Sequence, residues 1–469
     1  MPAHLPAPAR STALLAILSL AGTTFALLQA IVVPALPAIE HALGTGPTGA
    51  AWILTANLLS TAVLTPVLGR AGDIHGKDRV LTAVLLVLGG GTLVCATAQS
   101  LPMMLAGRAL QGTGGAVYPL AFGIVRDELP STRVAGAIGL VSSLLGIGAG
   151  LGLAVAGPVV AALSYHWLFW LPLAVLAPTT ALAHRFVPRS AVRTPGTVNQ
   201  TATGLMAAGL VAVLVAVSMT PQWGWTSLRT LGLAALGAVL VAGWIRLELR
   251  AREPLVDMRM MRDRAVWATN LAAFLLGFGM YAVIVLVPEL VELPRGSGVG
   301  LGASVTVAGA FMLPTAVPQL VVGPLSGAIE RRIGSRAQLQ LGLLLILAGY
   351  AGLAIAHAAA GELLVSTAAI GVGLGLGLGA LGNLIVSSVD HSQTGVATGM
   401  NAVLRTLGGA VGSQVVASVV LGSRGIPTGG GFALAFLACA IAAGLGLAAA
   451  AAIPGTRRRR PTEPVAQGA

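Results

Sequence analysis

Two arginines, Arg108 and Arg405, stand deep inside long apolar stretches of a chain in which only 9% of residues are charged. A guanidinium carries five hydrogen-bond donors and does not give up its charge, so each must find acceptors or a counter-ion. Around Arg108 the candidates are Gln29, Asn57 and Gln111. At about 1.5 Å of rise per residue from the predicted helix ends, Arg108 lies about 9 Å in, Asn57 about 10 Å and Gln29 about 12 Å. Gln111, three residues beyond Arg108, extends the same face. This spacing predicts a polar layer in which Gln29 or Asn57 accepts hydrogen bonds from Arg108. The layer either binds and couples ligands or only satisfies a structural guanidinium. Arg405 lies about 13 Å along its own stretch, with Asn401 one turn below; snorkelling along the helix is the alternative for it. No carboxylate falls clearly mid-stretch. Glu289 and Glu292, at the end of the ninth apolar stretch, come nearest. They read either as proton carriers, since burial raises a carboxyl pKa, or as part of a solvated loop.

The elements that position these groups are membrane helices. The 469 residues are 56% hydrophobic with a mean hydropathy of +0.88, whereas a soluble domain carries about 25% charged residues. Apolar runs of about 20 residues suit a bilayer core of roughly 30 Å. Fourteen such helices are predicted, at about 12–37, 50–69, 80–99, 103–125, 136–160, 167–187, 202–220, 229–247, 267–290, 302–328, 338–357, 361–388, 396–421 and 432–453. If both termini lie in the cytoplasm, 22 of the 27 basic residues fall on that side and three (Arg229, Arg295, Arg424) on the other. This matches the positive-inside rule and accounts for the net charge of +12 without nucleic acid. Arg457 to Arg460 form a basic tail suited to anionic lipid, and Trp223 and Trp225 suit an interfacial anchor. Cys95 and Cys439 sit in apolar runs as packing residues. The glycine-rich run 371–380 lies inside an apolar helix, where small residues allow close helix contact. No ATP-binding loop, cofactor motif or metal-ligand spacing is present, and no acid/base cluster of an enzyme shares one depth.

Polar residues concentrate at "VLGRAGDIHGKDRV" (67–80), a turn expected between the second and third helices. It recurs in "PLSGAIERRIGSR" (324–336). Pro66 aligns with Pro324, Gly69 with Gly327 and Gly76 with Gly334 at an offset of 258. Gly139, Gly148 and Gly152 align with Gly399, Gly408 and Gly412 at an offset of 260. The chain therefore reads as two homologous six-helix halves, a parallel repeat of the kind that frames a substrate path. Helices seven and eight are inserted between them.

These residues resemble the major facilitator superfamily, and within it the fourteen-helix drug:proton antiporters. Gly69, Asp73, Gly76, Lys77 and Arg79 match its signature loop. "LAGRALQGTGGA" (105–116) resembles its fourth-helix motif, centred on Arg108 and Gly112. Gly148, Gly152 and Gly157 resemble its fifth-helix antiporter motif. The resemblance implies an all-α fold of two pseudo-symmetric bundles, at 1–195 and 256–455, with a two-helix insert at 196–255 and a tail at 456–469. It also implies export of small hydrophobic, drug-like compounds by alternating access in exchange for protons, by a monomer in the bacterial inner membrane that needs no cofactor. Asp73 would latch the halves at the cytoplasmic end. The family often places a basic residue near the facing helix, and none stands near Thr394 to Thr398. Asp73 would then rely on the positive N-terminal end of that helix. Arg331 occupies the aligned position of the second copy, so the acidic latch is expected in the first half only. Two positions depart from the branch. Leu28 stands where an acid is usual, and Leu153 follows Gly152 where a proline is usual. The neutral Leu28 favours a transporter for one specific metabolite over broad export of cations. A non-transporting membrane receptor is the reading from a different class.

Overall fold

The computed structural model describes residues 7–190, 199–251, 254–295, 299–421 and 427–454. The first apolar segment forms α1 (Ala7–Ala30) and α2 (Val32–Ala42), interrupted at Ile31. Pro34 supplies no N–H to the carbonyl of Ala30 and its ring crowds that turn, which breaks a helix a few residues upstream. Next come α3 (Pro47–His75) and α4 (Lys77–Ala96). The fourth segment is α5 (Leu101–Gln111), a 3-10 stretch over Gly112–Ala116, and α6 (Val117–Glu128). Then follow α7 (Ser131–Ala162) and α8 (Trp167–Phe186). The insert holds α9 (Gln200–Ser218), the short α10 (Thr220–Trp223) and α11 (Leu228–Arg250). The second half holds α12 (Met258–Arg262), α13 (Arg264–Glu292), α14 (Val305–Ala310), α15 (Leu313–Ile333), α16 (Ser335–Ile355), α17 (Ala360–Ser387), α18 (Thr394–Leu421) and α19 (Gly429–Ala452). Pro314 opens α15 just as Pro34 follows the break between α1 and α2.

Among the described residues, twelve helices are long and apolar enough to cross a membrane. The count is thirteen if the segment 307–333, which bends by 65°, is one span. The expected fourteen falls short because 101–128 is divided by its 3-10 stretch. Three expected single helices, at 12–37, 103–125 and 302–328, are each in two pieces. The basic tail at 456–469, the junction at 195/196, and Arg193, Arg252 and Arg424 lie outside the described residues.

Two apolar cores organise the molecule. One gathers residues from Leu14 to Val187, with Val266, Ile385, Val386, Val389 and Ala397 from the second half. The other gathers Ala268 to Ile453, with Ala30 and Leu153 from the first half. Glycine decides how the helices approach. A Cβ on Gly148 would lie 2.5 Å from the carbonyl oxygen of Thr23, and one on Gly152 would lie 2.8 Å from that of Leu27. So α7 lies against the backbone of α1. In the second copy Gly408 abuts the carbonyl of Phe274, and a Cβ on Gly412 would lie 2.5 Å from the carbonyl oxygen of Phe278. So α18 lies against α13 in the same way. Gly139 and Gly399 turn the other way, Gly139 onto Ser326 of α15 and Gly399 onto Pro66 of α3. The repeat read in the sequence is thus a repeat of contacts. Gly157 lies in α7 beside Pro158.

A side chain at Gly152 must push α7 off α1. Overpacking of this kind costs about 1–3 kcal/mol. Gly152→Val is expected to lower the thermal unfolding midpoint in detergent, while Gly90→Ala, at an exposed position with no atom within 4 Å of the new methyl, leaves it unchanged.

Candidate functional site

The polar stretch 67–80 is helical on both sides of one residue. Gly76 (φ 104°) ends α3 and begins α4, and Gly334 (φ 83°) does the same between α15 and α16. Only glycine takes such φ values without strain. The polar side chains therefore sit on helix ends, with Arg70, Asp73 and Lys77 buried and His75 exposed. At this end of the molecule, called here the latch end, Asp73 is 1% exposed. Its Oδ1 accepts from the backbone N–H of Gly395 at 3.3 Å and its Oδ2 from that of Val396 at 3.1 Å. These are first-turn N–H groups of α18, unpaired within the helix and at its positive end. The expected reliance of Asp73 on this helix end is what the geometry contains. A Cβ on Gly69 would stand 2.5 Å from the carbonyl oxygen of Gly395, so the two backbones touch beside the carboxylate.

Lys77 is fully buried. Its Nζ lies 2.7 Å from Asp127 Oδ2 and 3.9 Å from Asp73 Oδ1. It holds α4 to α6 inside the first half. Arg79 is exposed.

Two latch-end residues escaped the sequence reading. Arg126 at the end of α6 donates to the carbonyls of Val389 (2.9 Å) and Asp390 (3.3 Å) and to Thr394 Oγ1 (2.6 Å). It is a basic residue at the facing helix start, contributed by the first half. Glu330 corrects the expectation of an acid in the first half only. Its Oε2 accepts from Asn383 Nδ2 at 2.7 Å, its Oε1 from Ser335 Oγ, and Asn383 Nδ2 also donates to the carbonyl of Ala135 across the interface at 3.2 Å. The acid sits one position before Arg331, so strict alignment hid it.

The Arg108 layer forms with different partners from those expected. Arg108 is 1% exposed. Its Nη1 donates to the carbonyl of Leu28 (3.2 Å) and to Gln111 Oε1 (2.8 Å), and its Nε to the carbonyl of Ile53 (3.2 Å). Gln111 Nε2 in turn donates to Thr92 Oγ1 at 3.1 Å. Asn57 does not accept from the guanidinium; its Nδ2 donates to the backbone carbonyl of Arg108 at 3.2 Å. Gln29 takes no part. With Leu28 where an acid would stand, the guanidinium turns to main-chain oxygens and ties α1, α3, α4 and α5 together.

Gln29 instead lines a cavity of about 120 Å³ between the halves. Its walls are mainly apolar and come from α1, α2, α7, α13, α15 and α17, with Gln29, Tyr281, Thr315 and Gln319 as the polar groups. Two pockets of about 20 Å³, each the size of one water, continue it inward. The first shares Gln29, Leu145, Met280 and Tyr281 with the cavity. The second shares Tyr118, Leu145, Ala402 and Arg405 with the first. Arg405 therefore opens onto this interior space. Leu145, its counterpart at the offset of 260, lines all three. Asn401 also lines the innermost pocket, and its amide donates to Asn270 Oδ1 at 2.9 Å. Glu289 and Glu292 stand at the far end of α13 and line none of these spaces. No group of three or more histidine, cysteine or carboxylate side chains suited to a metal occurs among the described residues.

A helical membrane protein of two homologous halves, closed on each other at one end and enclosing an apolar cavity at their interface, has the form of a transporter. The chain belongs to the Major Facilitator Superfamily, whose model matches residues 18–413, a family of transporters and not of enzymes. It is 27% identical over 387 residues to the "Multidrug transporter protein MdtP" of Bacillus subtilis (strain 168), covering 81% of this chain and 70% of that one. It is 28% identical over 311 residues to the "Multidrug resistance protein B homolog" of Mycobacterium tuberculosis, covering 64% of this chain and 55% of that one. The fold is similar to the proton:xylose symporter XylE (TM-score 0.69, 14% identity, 96% of this chain and 97% of that one). It is also similar to the human organic anion transporter MFSD10 (TM-score 0.65, 16% identity, 92% and 99%).

Removing the Arg108 guanidinium strands three acceptors, the carbonyls of Leu28 and Ile53 and the Oε1 of Gln111. Hydrogen bonds to a charged group contribute about 1.5–3 kcal/mol. Arg108→Gln is expected to lower the thermal unfolding midpoint in detergent, and a midpoint equal to that of the parent would show that these bonds hold nothing together.

Proposed function

We propose that this chain exports small, largely hydrophobic compounds by alternating access in exchange for protons, as a monomer in the bacterial inner membrane with both termini in the cytoplasm. The observation that carries the reading is the apolar cavity at the interface of two halves held shut at one end by Asp73, Arg126 and Asn383. The names of the relatives support the class of substrate, and the excess of basic residues supports the orientation. In this reading the latch end is cytoplasmic and the structure is the inward-closed state. The bundles are 1–195 and 256–455, with 196–255 inserted and 456–469 as a lipid-facing tail. The spans number fourteen, with 101–128 crossing as one: 28 residues at about 1.5 Å each reach 40 Å even before the 3-10 stretch lengthens them.

Gln29, Asn401 and Arg405 are the substrate-side groups in this proposal. Arg108, Asn57 and Gln111 act at one remove, by fixing α1 beside the cavity. Glu289 and Glu292 remain the proposed proton acceptors, at the opposite end from the latch. The second reading, a transporter for one specific metabolite, draws on Leu28, since no acid faces the cavity to select cations. Efflux from proteoliposomes with and without an imposed pH gradient tests the coupling. Flux that is indifferent to the gradient excludes proton exchange.

The latch has its own test. Asp73 bonds to α18 only while this end is shut, so its loss shifts the balance between states and not the cavity. Losing one charge-assisted contact shifts such a balance by about tenfold or more. Asp73→Asn is expected to slow exchange about tenfold while equilibrium substrate binding stays within about twofold; the reverse pattern assigns Asp73 to the substrate site.

A further inference from the structure

Charged side chains at membrane depth are paired or functional, and three guanidiniums in this molecule allow a direct comparison. Arg108 has three acceptors. Arg126 also has three. Arg405, in the middle of α18, makes no hydrogen bond or ion pair with any described residue. It projects into the two small pockets inward of the main cavity. Among the described residues lining the three connected spaces, the titratable side chains are Arg405, Tyr118 and Tyr281. The hydroxyl of Tyr118 is engaged, donating to the carbonyl of Gly22 at 2.9 Å. The Gln29 amide and the Tyr281 hydroxyl line both the main cavity and the pocket that reaches Arg405, and neither has a hydrogen-bond partner among the described residues.

We infer that the substrate is an amphipathic monoanion. Its negative head, a carboxylate, sulfonate or phosphate monoester anion, is received by Arg405 with Gln29 and Tyr281 beside it, and its apolar body fills the cavity between α1, α7, α13 and α15. One fixed positive charge faces no fixed negative one, so a single anionic group neutralises the site. A cation would meet like charge in a low-dielectric space, where such repulsion is strong. A guanidinium also offers paired donors that match two oxygens of one anionic group. The repeat sharpens the assignment. Leu145 and Arg405 occupy equivalent positions and line the same two small pockets, so the space is apolar on one half and cationic on the other. The anionic head therefore binds α18, one of the two helices that meet at the latch, and the apolar body is shared by both halves. This inference rests on the transporter reading for its meaning and not for its test.

The experiment pairs two probes of one shape and opposite fixed charge, 2-naphthalenesulfonate and trimethyl(2-naphthyl)ammonium. Each is titrated onto the full chain in nanodiscs of zwitterionic lipid. The sulfonate is expected to bind at least tenfold more tightly, and Arg405→Gln to remove that preference by about tenfold to a hundredfold, the range of a charged hydrogen bond. Arg405→Lys, which keeps the charge, restores most of it and guards against a variant that merely misfolds. Equal binding of the probes, preference for the ammonium, or a preference that survives Arg405→Gln overturns the anion site and leaves water as the occupant. Adding phosphatidylglycerol to the nanodisc separates sources. Competition with the sulfonate assigns the head group to lipid, and its absence to a free amphiphile; both outcomes support the site. Counterflow of the sulfonate in proteoliposomes separates the two readings. Tight, Arg405-dependent binding without counterflow sinks the transporter and keeps the anion site, whereas counterflow that favours the ammonium does the opposite.

Discussion

Everything in this molecule follows from how closely α7 and α18 can approach their neighbours. Each helix carries glycines on two faces. One face lies against the first helix of its own half, through Gly148 and Gly152 on α1 and through Gly408 and Gly412 on α13. The other lies against the second helix of the opposite half, through Gly139 on α15 and Gly399 on α3. Inside a membrane no hydrophobic force pulls helices together, and van der Waals contact between backbones replaces it. Where side chains interdigitate, sliding requires repacking; where two backbones touch, one can roll on the other. The glycine faces between halves thus let the halves approach closely, while those within a half fix the helices that line the cavity.

Close helix contact of this kind adds no side-chain hydrogen bond, so polar contacts are what tie the ends of the halves. The latch end has these contacts, and they are unequal. On the first-half side Asp73 uses two backbone N–H groups of α18, so its bond depends on the position of a helix end and not on a side-chain rotamer. On the second-half side Asn383 links Glu330 to the carbonyl of Ala135 through one amide. Arg126 adds a third tie from α6 to the turn before α18. Two of the three ties converge on 389–396. Displacing the start of α18 releases both, whereas displacing α7 releases only the third. The polar ties at this end thus converge on the start of α18, the helix that also carries Arg405.

How far the sequence discloses this differs by element. The repeat, the helical class and the pairing of Asp73 with a helix end are all legible, because they depend on spacing and on residue types without substitutes. The breaks in the first, fourth and tenth segments are not legible in hydropathy, since a helix and two half-helices have the same apolar content. Pro34 and the glycines of 112–115 were the available signals. The partners of Arg108 were missed for another reason. They are chiefly main-chain oxygens at Leu28 and Ile53, and a carbonyl has no sequence signature. Arg126 reads as one more positive-inside charge until the chain is folded, because its acceptors lie more than 260 residues away. Glu330 was hidden by a shift of one position in the repeat. Arg405 was visible as an oddity, but only the folded chain reveals that no described residue pairs with it.

The inserted pair of helices bears on the same motion. Helix α9 packs across the junction of α3 and α18. Ala202, Met206 and Leu210 share a core with Val396, Met400 and Val403, and Leu214 packs with Ala62 and Ala410. Helix α11 backs α9 through the facing glycines Gly209 and Gly237. Beyond α10, Trp225 donates to Ser418 Oγ at 2.9 Å, so this tryptophan holds the insert to α18 as well as facing outward. The apolar partners of α9 come from both helices, Val396, Met400, Val403 and Ala410 of α18 and Leu59, Ala62 and Val67 of α3, and the one side-chain hydrogen bond described between the insert and these two helices goes to α18. The insert thus spans the seam between the halves, resting on Leu59, Ala62 and Val67 of α3 as well as on α18. Any opening between α3 and α18 must therefore separate the insert from at least one of them.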